Sequence, residues 1–381
     1  MSTEHEGLNV NEQTVGAGTI VSSEAIATSI QGARAFKLRY RSIDVNGEAT
    51  ESSGLVIAPS VSGDNRPVLT WCHGTTGIGD AGCPSAQDDP ARELSTYFDP
   101  SSTAQIDYGV PHLQAFIDDG WVVCATDYQG LGTPGRHHYT VNRSNARDAL
   151  NIVHAARRLE LGCGAELFGA GWSQGGGAVA ALAELDDEDY GELKLRGIAS
   201  LSPGIPAMAL KAPVGGAAGL QDPSAPPDAH LFMMLVGIAA ANPTTLRLDD
   251  LLSPLGVEIA DLSCDTLPVH HLHDVLERMF RRRGPLMRSD PQNFGRWLEA
   301  LEACSAGQRK PICPVMVCVD LANPPNQEPC PVPWQDAYVE AITSLGGEVA
   351  VQRYEHDDHF SLPVSCMPDA KAWFDGIRER C

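Results

Sequence analysis

Gly171-Trp172-Ser173-Gln174-Gly175 follows the apolar run AELFGA and leads into Gly-Gly-Ala-Val-Ala-Ala-Leu-Ala. A serine with small residues two before and two after it suits a strained strand-to-helix turn, where flanking backbones crowd together and the hydroxyl is held out for attack. A helix of small residues behind it can pack close and direct its positive end at charge developing beside the serine. Ser173 is therefore the candidate nucleophile. An earlier loop, Trp71-Cys72-His73-Gly74-Thr75-Thr76-Gly77, also ends an apolar run. A His-Gly loop in that place can turn a backbone N–H toward an acyl oxygen, and Thr75 is expected to supply it. The N–H of Gln174, just after the nucleophile, would be the second donor. His73 itself is expected to lock the loop.

A general base should come late in the chain. Tyr354-Glu355-His356-Asp357-Asp358-His359-Phe360 offers His359, with His356 as the rival, while Asp357 and Asp358 read as loop carboxylates. An acid to orient that imidazole should follow the apolar run PVMVCV, where Asp320 stands at the end and Glu328 further along. Asp320 is the first choice and Glu328 the alternative, since either carboxylate can hold the tautomer and stabilise an imidazolium.

These residues need a rigid support. PVLTWCHG, WVVCATDYQG, AELFGAGWS, LRGIASLSPG and PVMVCVD are short, nearly continuous apolar runs, each ending in Gly, Ser or Asp, as buried parallel strands do. Helical patterns lie between them at Ser144 to Leu159, Ser173 to Glu184 and Trp334 to Leu345, and a last strand, EVAVQRY, precedes a helix near Asp369 to Arg378. AFKLRYRSIDV and ESSGLVIAP alternate polar and apolar residues as an antiparallel pair would. Alternating strands and helices predict an α/β fold with a mostly parallel, doubly wound sheet whose site lies at the carboxyl ends of the strands. Residues 204–310 break the rhythm with a Gly/Ala/Pro-rich loop, the apolar run LFMMLVGIAAA and polar helical stretches, and read as a helical cap inserted into a core of 31–203 and 311–381. The first thirty residues are expected to be irregular.

With 381 residues, 43% of them hydrophobic, the chain can bury a large core. Its formal charge of -22 has the wrong sign for nucleic acid or an anionic membrane surface. Leu231 to Ala241 is too short to span a bilayer, so no stable membrane insertion is expected. The eleven cysteines show no Cys-x-x-Cys pair, and mostly reduced thiols are expected. The N-terminal residues lack a basic segment followed by an apolar one, which favours the cytoplasm. His270-His271-Leu272-His273-Asp274 completes no metal-ligand set, and Gly130-Leu131-Gly132 lacks the third glycine of a dinucleotide fingerprint.

Four of these stretches together resemble the secretory lipase family of α/β-hydrolases. They are Trp71 to Gly77, Asp127-Tyr128-Gln129-Gly130-Leu131-Gly132, Gly171 to Gly176, and Asp358-His359. The order Ser, acid, His is that of the fold. The resemblance implies an α/β-hydrolase with a helical cap and a serine esterase or lipase activity on a small to medium ester, without metal or cofactor. It also makes secretion the alternative to the cytoplasm. The family's acid follows a Gly-x-x-Asp pattern, whereas this chain reads Asp320-Leu321-Ala322-Asn323. The same triad could serve an acyltransferase, lactonase or amidase, and a scaffold without its acid would be a non-catalytic binding protein.

Overall fold

The computed structural model describes residues 16–95, 106–211, 223–324 and 329–380. Its centre is a nine-stranded sheet in the order β1-β2-β3-β5-β4-β6-β7-β8-β9. The strands are β1 Ile20–Ile26, β2 Ala33–Ile43, β3 Ala49–Pro59, β4 Arg66–Cys72, β5 Val122–Thr126, β6 Cys163–Trp172, β7 Lys194–Leu201, β8 Val315–Asp320 and β9 Val349–Tyr354. β1 to β3 pair antiparallel, and β3 meets β5 antiparallel. From β5 onward every pairing is parallel.

The continuous apolar runs have a direct cause: both faces of the parallel strands are covered. In β8, Val315, Val317 and Val319 point into one layer while Met316 and Cys318 point into the other. The first layer is closed by α2 (Asn142–Ala156), α3 (Gln174–Leu182) and α10 (Val332–Ser344). The second is closed by α1 (Leu113–Asp118) and α11 (Leu362–Arg378), with Trp121, Phe168 and Phe374 packed ring against ring. A short helix, α4 (Asp187–Tyr190), leads into β7.

Between β7 and β8 the chain forms α5 (Pro206–Lys211), α6 (Ala229–Ala241), α7 (Pro254–Ile259), α8 (Val269–Arg283) and α9 (Phe294–Ala303). They enclose an apolar cluster of their own, including Phe232, Leu235, Leu272, Leu276, Trp297 and Leu301, which reaches Ile78, Tyr139 and Val141 below. Asp228 starts α6 by accepting from the N–H groups of His230 and Leu231. Most of the Gly/Ala/Pro-rich loop expected before α6 lies outside the described residues. This helical layer is joined to the His-Gly loop, because Val269 N–H donates to the Thr76 carbonyl at 3.0 Å. Among the described residues no helix is long and apolar enough to cross a membrane.

Two expectations need correction. The first thirty residues are not irregular throughout, since Ile20–Ile26 is the edge strand β1. It is held to β2 by backbone pairing while its central residues stay exposed, so the burial that normally writes a strand's pattern is missing. The last helix starts at Leu362, seven residues before the sequence pattern suggested, despite Pro363 and Pro368. Pro363 sits in the first turn, where its missing N–H costs nothing; Pro368 lies inside the helix and removes one hydrogen bond, which buried Leu362, Cys366 and Met367 offset by packing.

Candidate active site

The turn from β6 to α3 is made by Ser173 itself, at φ 57° and ψ -117°. That left-handed φ is costly for a residue with a Cβ and persists only where the surroundings enforce it. Here they do: Ser173 N–H donates to Leu201 O at 2.9 Å, and the Ser173 carbonyl accepts from Gly204 N–H at 2.7 Å. The flanking glycines are required by contact. A Cβ on Gly171 would stand 2.2 Å from the Gly175 carbonyl oxygen, and one on Gly175 would stand 1.9 Å from the Cys72 carbonyl oxygen. The same closeness brings the end of β4, and with it the His-Gly loop, onto the start of α3.

That loop is locked from beneath. The ring nitrogens of His73 face the Gly74 carbonyl at 2.6 Å and the Asp127 carbonyl at 3.3 Å. Burial pulls the His73 imidazole below its ordinary range. Thr75 is buried, with its hydroxyl 2.7 Å from the Tyr139 hydroxyl. α6 lies on Tyr139, since a Cβ on Gly237 would come within 2.5 Å of the Tyr139 nitrogen. Gln174, as the first residue of α3, leaves its N–H without an intrahelical partner. Its side-chain amide donates to His137 Nε2 at 2.8 Å, while His137 Nδ1 faces the Gln129 carbonyl at 2.8 Å. Burial depresses the His137 imidazole to about 3, fixing it neutral with its proton on Nδ1.

The Asp127-Tyr128-Gln129-Gly130-Leu131-Gly132 stretch supports both pieces without itself carrying chemistry. Asp127 accepts from the Ser53 hydroxyl at 2.6 Å and the Ser85 N–H at 2.9 Å. Tyr128 donates to the His73 carbonyl at 3.0 Å and stacks on His137.

His359 follows β9 and is buried, whereas His356 is exposed. Its carbonyl accepts from Trp172 Nε1 at 2.8 Å, and its own N–H donates to Asn323 Oδ1 at 2.8 Å. The imidazole packs on Trp172, the residue before Ser173, with ring centroids 5.3 Å apart. Asp358 caps the entrance of α11 by accepting from the Phe360 and Ser361 N–H groups. Asp357 accepts from the Ser361 and Ser365 hydroxyls. Both carboxylates are thereby occupied.

Asp320 is the last residue of β8 and is fully buried. Its Oδ2 lies 3.5 Å from His359 Nδ1 and accepts from Asn323 Nδ2 at 2.7 Å; its Oδ1 accepts from Gln335 Nε2 at 2.5 Å. Burial works to raise this carboxyl, but His359, Asn323 and Gln335 outweigh it and hold it down at about 2. The structure thus brings Asp320 to the imidazole and turns Asn323 into a tie between the carboxylate and the His359 backbone. Glu328 lies outside the described residues.

Two groups show their place only in the folded chain: Ser202, which the sequence did not single out, and Asn323, which stands where the family pattern places the acid. Ser202 Oγ lies 2.8 Å from His359 Nδ1, and Asn323 makes the tie just described. For Ser202 the available clue was its place directly after a strand.

Comparison with known proteins agrees with the motif reading. Residues 97–212 match the model of the secretory lipase family. Among solved structures, the rice cell wall degrading esterase LipA from Xanthomonas oryzae is similar with a TM-score of 0.65 at 17% identity, over 95% of this chain and 98% of that one. Candida antarctica lipase A in its closed state is similar with a TM-score of 0.68 at 14% identity, over 96% of this chain and 84% of that one. Likeness at such identities is a likeness of fold, and the fold is the α/β-hydrolase fold. No curated protein sequence matches the chain.

Proposed function

We propose that this chain, with the secretory lipase signature over residues 97–212, is a serine carboxylic-ester hydrolase working through an acyl-enzyme. Ser173 attacks the acyl carbonyl, and His359 takes its proton and returns it to the leaving alkoxide. Asp320 orients the imidazole and stabilises its cationic form. The N–H groups of Thr75 and Gln174 receive the oxyanion, a contribution of about 2.7–4 kcal/mol per donor in comparable sites. His359 then activates water to release the acid. The helical layer between β7 and β8 is the cap, and its contact with Thr76 and Tyr139 lets it shape the space over the oxyanion loop. The substrate is a small to medium ester. The matched family is described as secretory, which leans toward the secreted alternative rather than the cytoplasm.

The observations that support the reading are a serine held at φ 57° directly after Trp172, the ring on which the His359 imidazole packs, and a fully buried carboxylate 3.5 Å from that imidazole. Hydrolysis of p-nitrophenyl esters from acetate to palmitate, by wild type and Ser173→Ala, tests it. Wild-type turnover should exceed the variant's by about 10⁴-fold or more on the preferred ester. Equal rates on every ester would overturn the proposal.

A further inference from the structure

Ser202 is the first residue after β7 and is fully buried. It holds φ 41°, a left-handed conformation that a serine adopts only under constraint. The constraint is visible on both sides. Ser202 N–H donates to the Cys318 carbonyl of β8 at 2.9 Å, while the residue before it accepts from Ser173 N–H and the residue two after it donates to the Ser173 carbonyl. The segment is therefore stitched to the nucleophile's turn on one side and to the acid's strand on the other.

The strained backbone carries the Ser202 hydroxyl to 2.8 Å from His359 Nδ1, within ordinary hydrogen-bond range. Asp320 Oδ2 stands 3.5 Å from the same nitrogen, beyond that range. A carboxylate facing Nδ1 requires the proton on that nitrogen, so the serine oxygen accepts it.

We infer that Ser202 is a positioning residue of the reaction, a second acceptor that shares the His359 Nδ1 proton with Asp320 and fixes the tautomer in which Nε2 is free to act as base. This rests on the ester-hydrolase reading. Asp320 supplies charge from a slightly longer range, and Ser202 supplies the short directional contact.

The test uses the full chain as wild type, Ser202→Gly and Ser202→Ala. Glycine removes the hydroxyl and also relieves the positive φ, so the variant should melt at or near the wild-type temperature. Two readouts are taken: the rate of Ser173 labelling by a fluorophosphonate across pH, and the imidazole N–H signal of His359 in ¹⁵N-histidine protein, assigned with His359→Gln. Loss of one hydrogen bond to a charge-bearing ring should slow labelling about 10- to 100-fold in both variants. The acid limb of the labelling profile should move to lower pH, because the imidazolium has lost an acceptor, and the His359 Nδ1–H signal should move upfield. Labelling within about threefold of wild type at every pH, with an unmoved His359 signal, would overturn the inference. If wild-type Ser173 does not label at any pH, the hydrolase reading fails instead, and the His359 signal still decides whether Ser202 holds the ring.

Discussion

Replacing Asp320 by Asn removes the charge beside His359 while keeping the size and one acceptor oxygen. The carboxyl is held at about 2 against an ordinary value of 3.8, with burial opposing that shift. In a serine protease triad the same change costs about 10⁴-fold, because the amide selects the wrong imidazole tautomer. Here the Ser202 hydroxyl sits nearer to Nδ1 than the carboxylate does and remains as an acceptor for the Nδ1 proton. Asp320→Asn should therefore lower kcat/KM by about 10²-fold, the scale of losing one charge-assisted contact of about 1.5–3 kcal/mol. The assay is steady-state hydrolysis of the preferred p-nitrophenyl ester, with the melting temperature recorded as a check on folding. A loss of about 10⁴-fold in a folded variant would refute the role given to Ser202. A loss under about threefold would show that Asp320 is not the acid, and Glu328→Gln would be the next substitution.

Two further substitutions test the frame around the site. Gly175→Ala places a Cβ 1.9 Å from the Cys72 carbonyl oxygen, a backbone atom that cannot step aside, and should cost at least about 1–3 kcal/mol while slowing phosphonate labelling more than tenfold. Gly376→Ala in α11 meets nothing within 4 Å and should be neutral or stabilising by up to about 1 kcal/mol; equal melting temperatures for the two variants would contradict the contact argument. Burial raises the Asp148 carboxyl to about 7, although one oxygen accepts from the Gln129 N–H at 2.9 Å. An unfolded Asp titrates near 3.9, so between about pH 4 and 7 the folded chain keeps a proton that the unfolded chain has lost, and stability falls by about 1.4 kcal/mol per pH unit. Asp148→Asn cannot ionise, so its stability relative to wild type should rise from pH 5 to pH 8 by about 2–3 kcal/mol in urea unfolding, and an unchanged difference would show that Asp148 does not titrate there.

The parallel half of the sheet was legible because burial on both faces writes itself into sequence, as in the Val315, Val317, Val319 and Met316, Cys318 alternation of β8. The serine turn was legible for a steric reason, since only glycine tolerates the contacts at positions 171 and 175. What escaped were features held by backbone pairing or by tertiary contact. β1 buries little, and α11 runs through Pro368 because its apolar face outweighs the lost hydrogen bond. Asn323 gave the opposite impression in the sequence, standing where the family pattern places the acid. In the folded chain its amide joins the Asp320 carboxylate to the His359 backbone. Ser202 is one serine among many until the strand order is known.

That order makes the position of Ser202 a consequence of topology. β7 lies between β6 and β8, pairing through Trp172 with Leu201 on one side and through Leu201 with Cys318 on the other. Ser173 follows β6 directly, and the Asp320 carboxylate ends β8. Whatever residue follows β7 must emerge between them, beneath an imidazole brought in from the loop after β9. An apolar side chain there would leave Nδ1–H facing only a carboxylate 3.5 Å away. A small hydroxyl fills the gap and accepts the proton. The glycine two residues later lets the chain turn back against the Ser173 carbonyl, since a Cβ at Gly204 would sit 3.1 Å from that oxygen. The segment ASLSPG thus ties the nucleophile's turn, the base and the acid's strand together through one exchange of hydrogen bonds. A perturbation of its backbone should therefore alter all three at once, whereas deletion of the Ser202 hydroxyl alone should alter only the base.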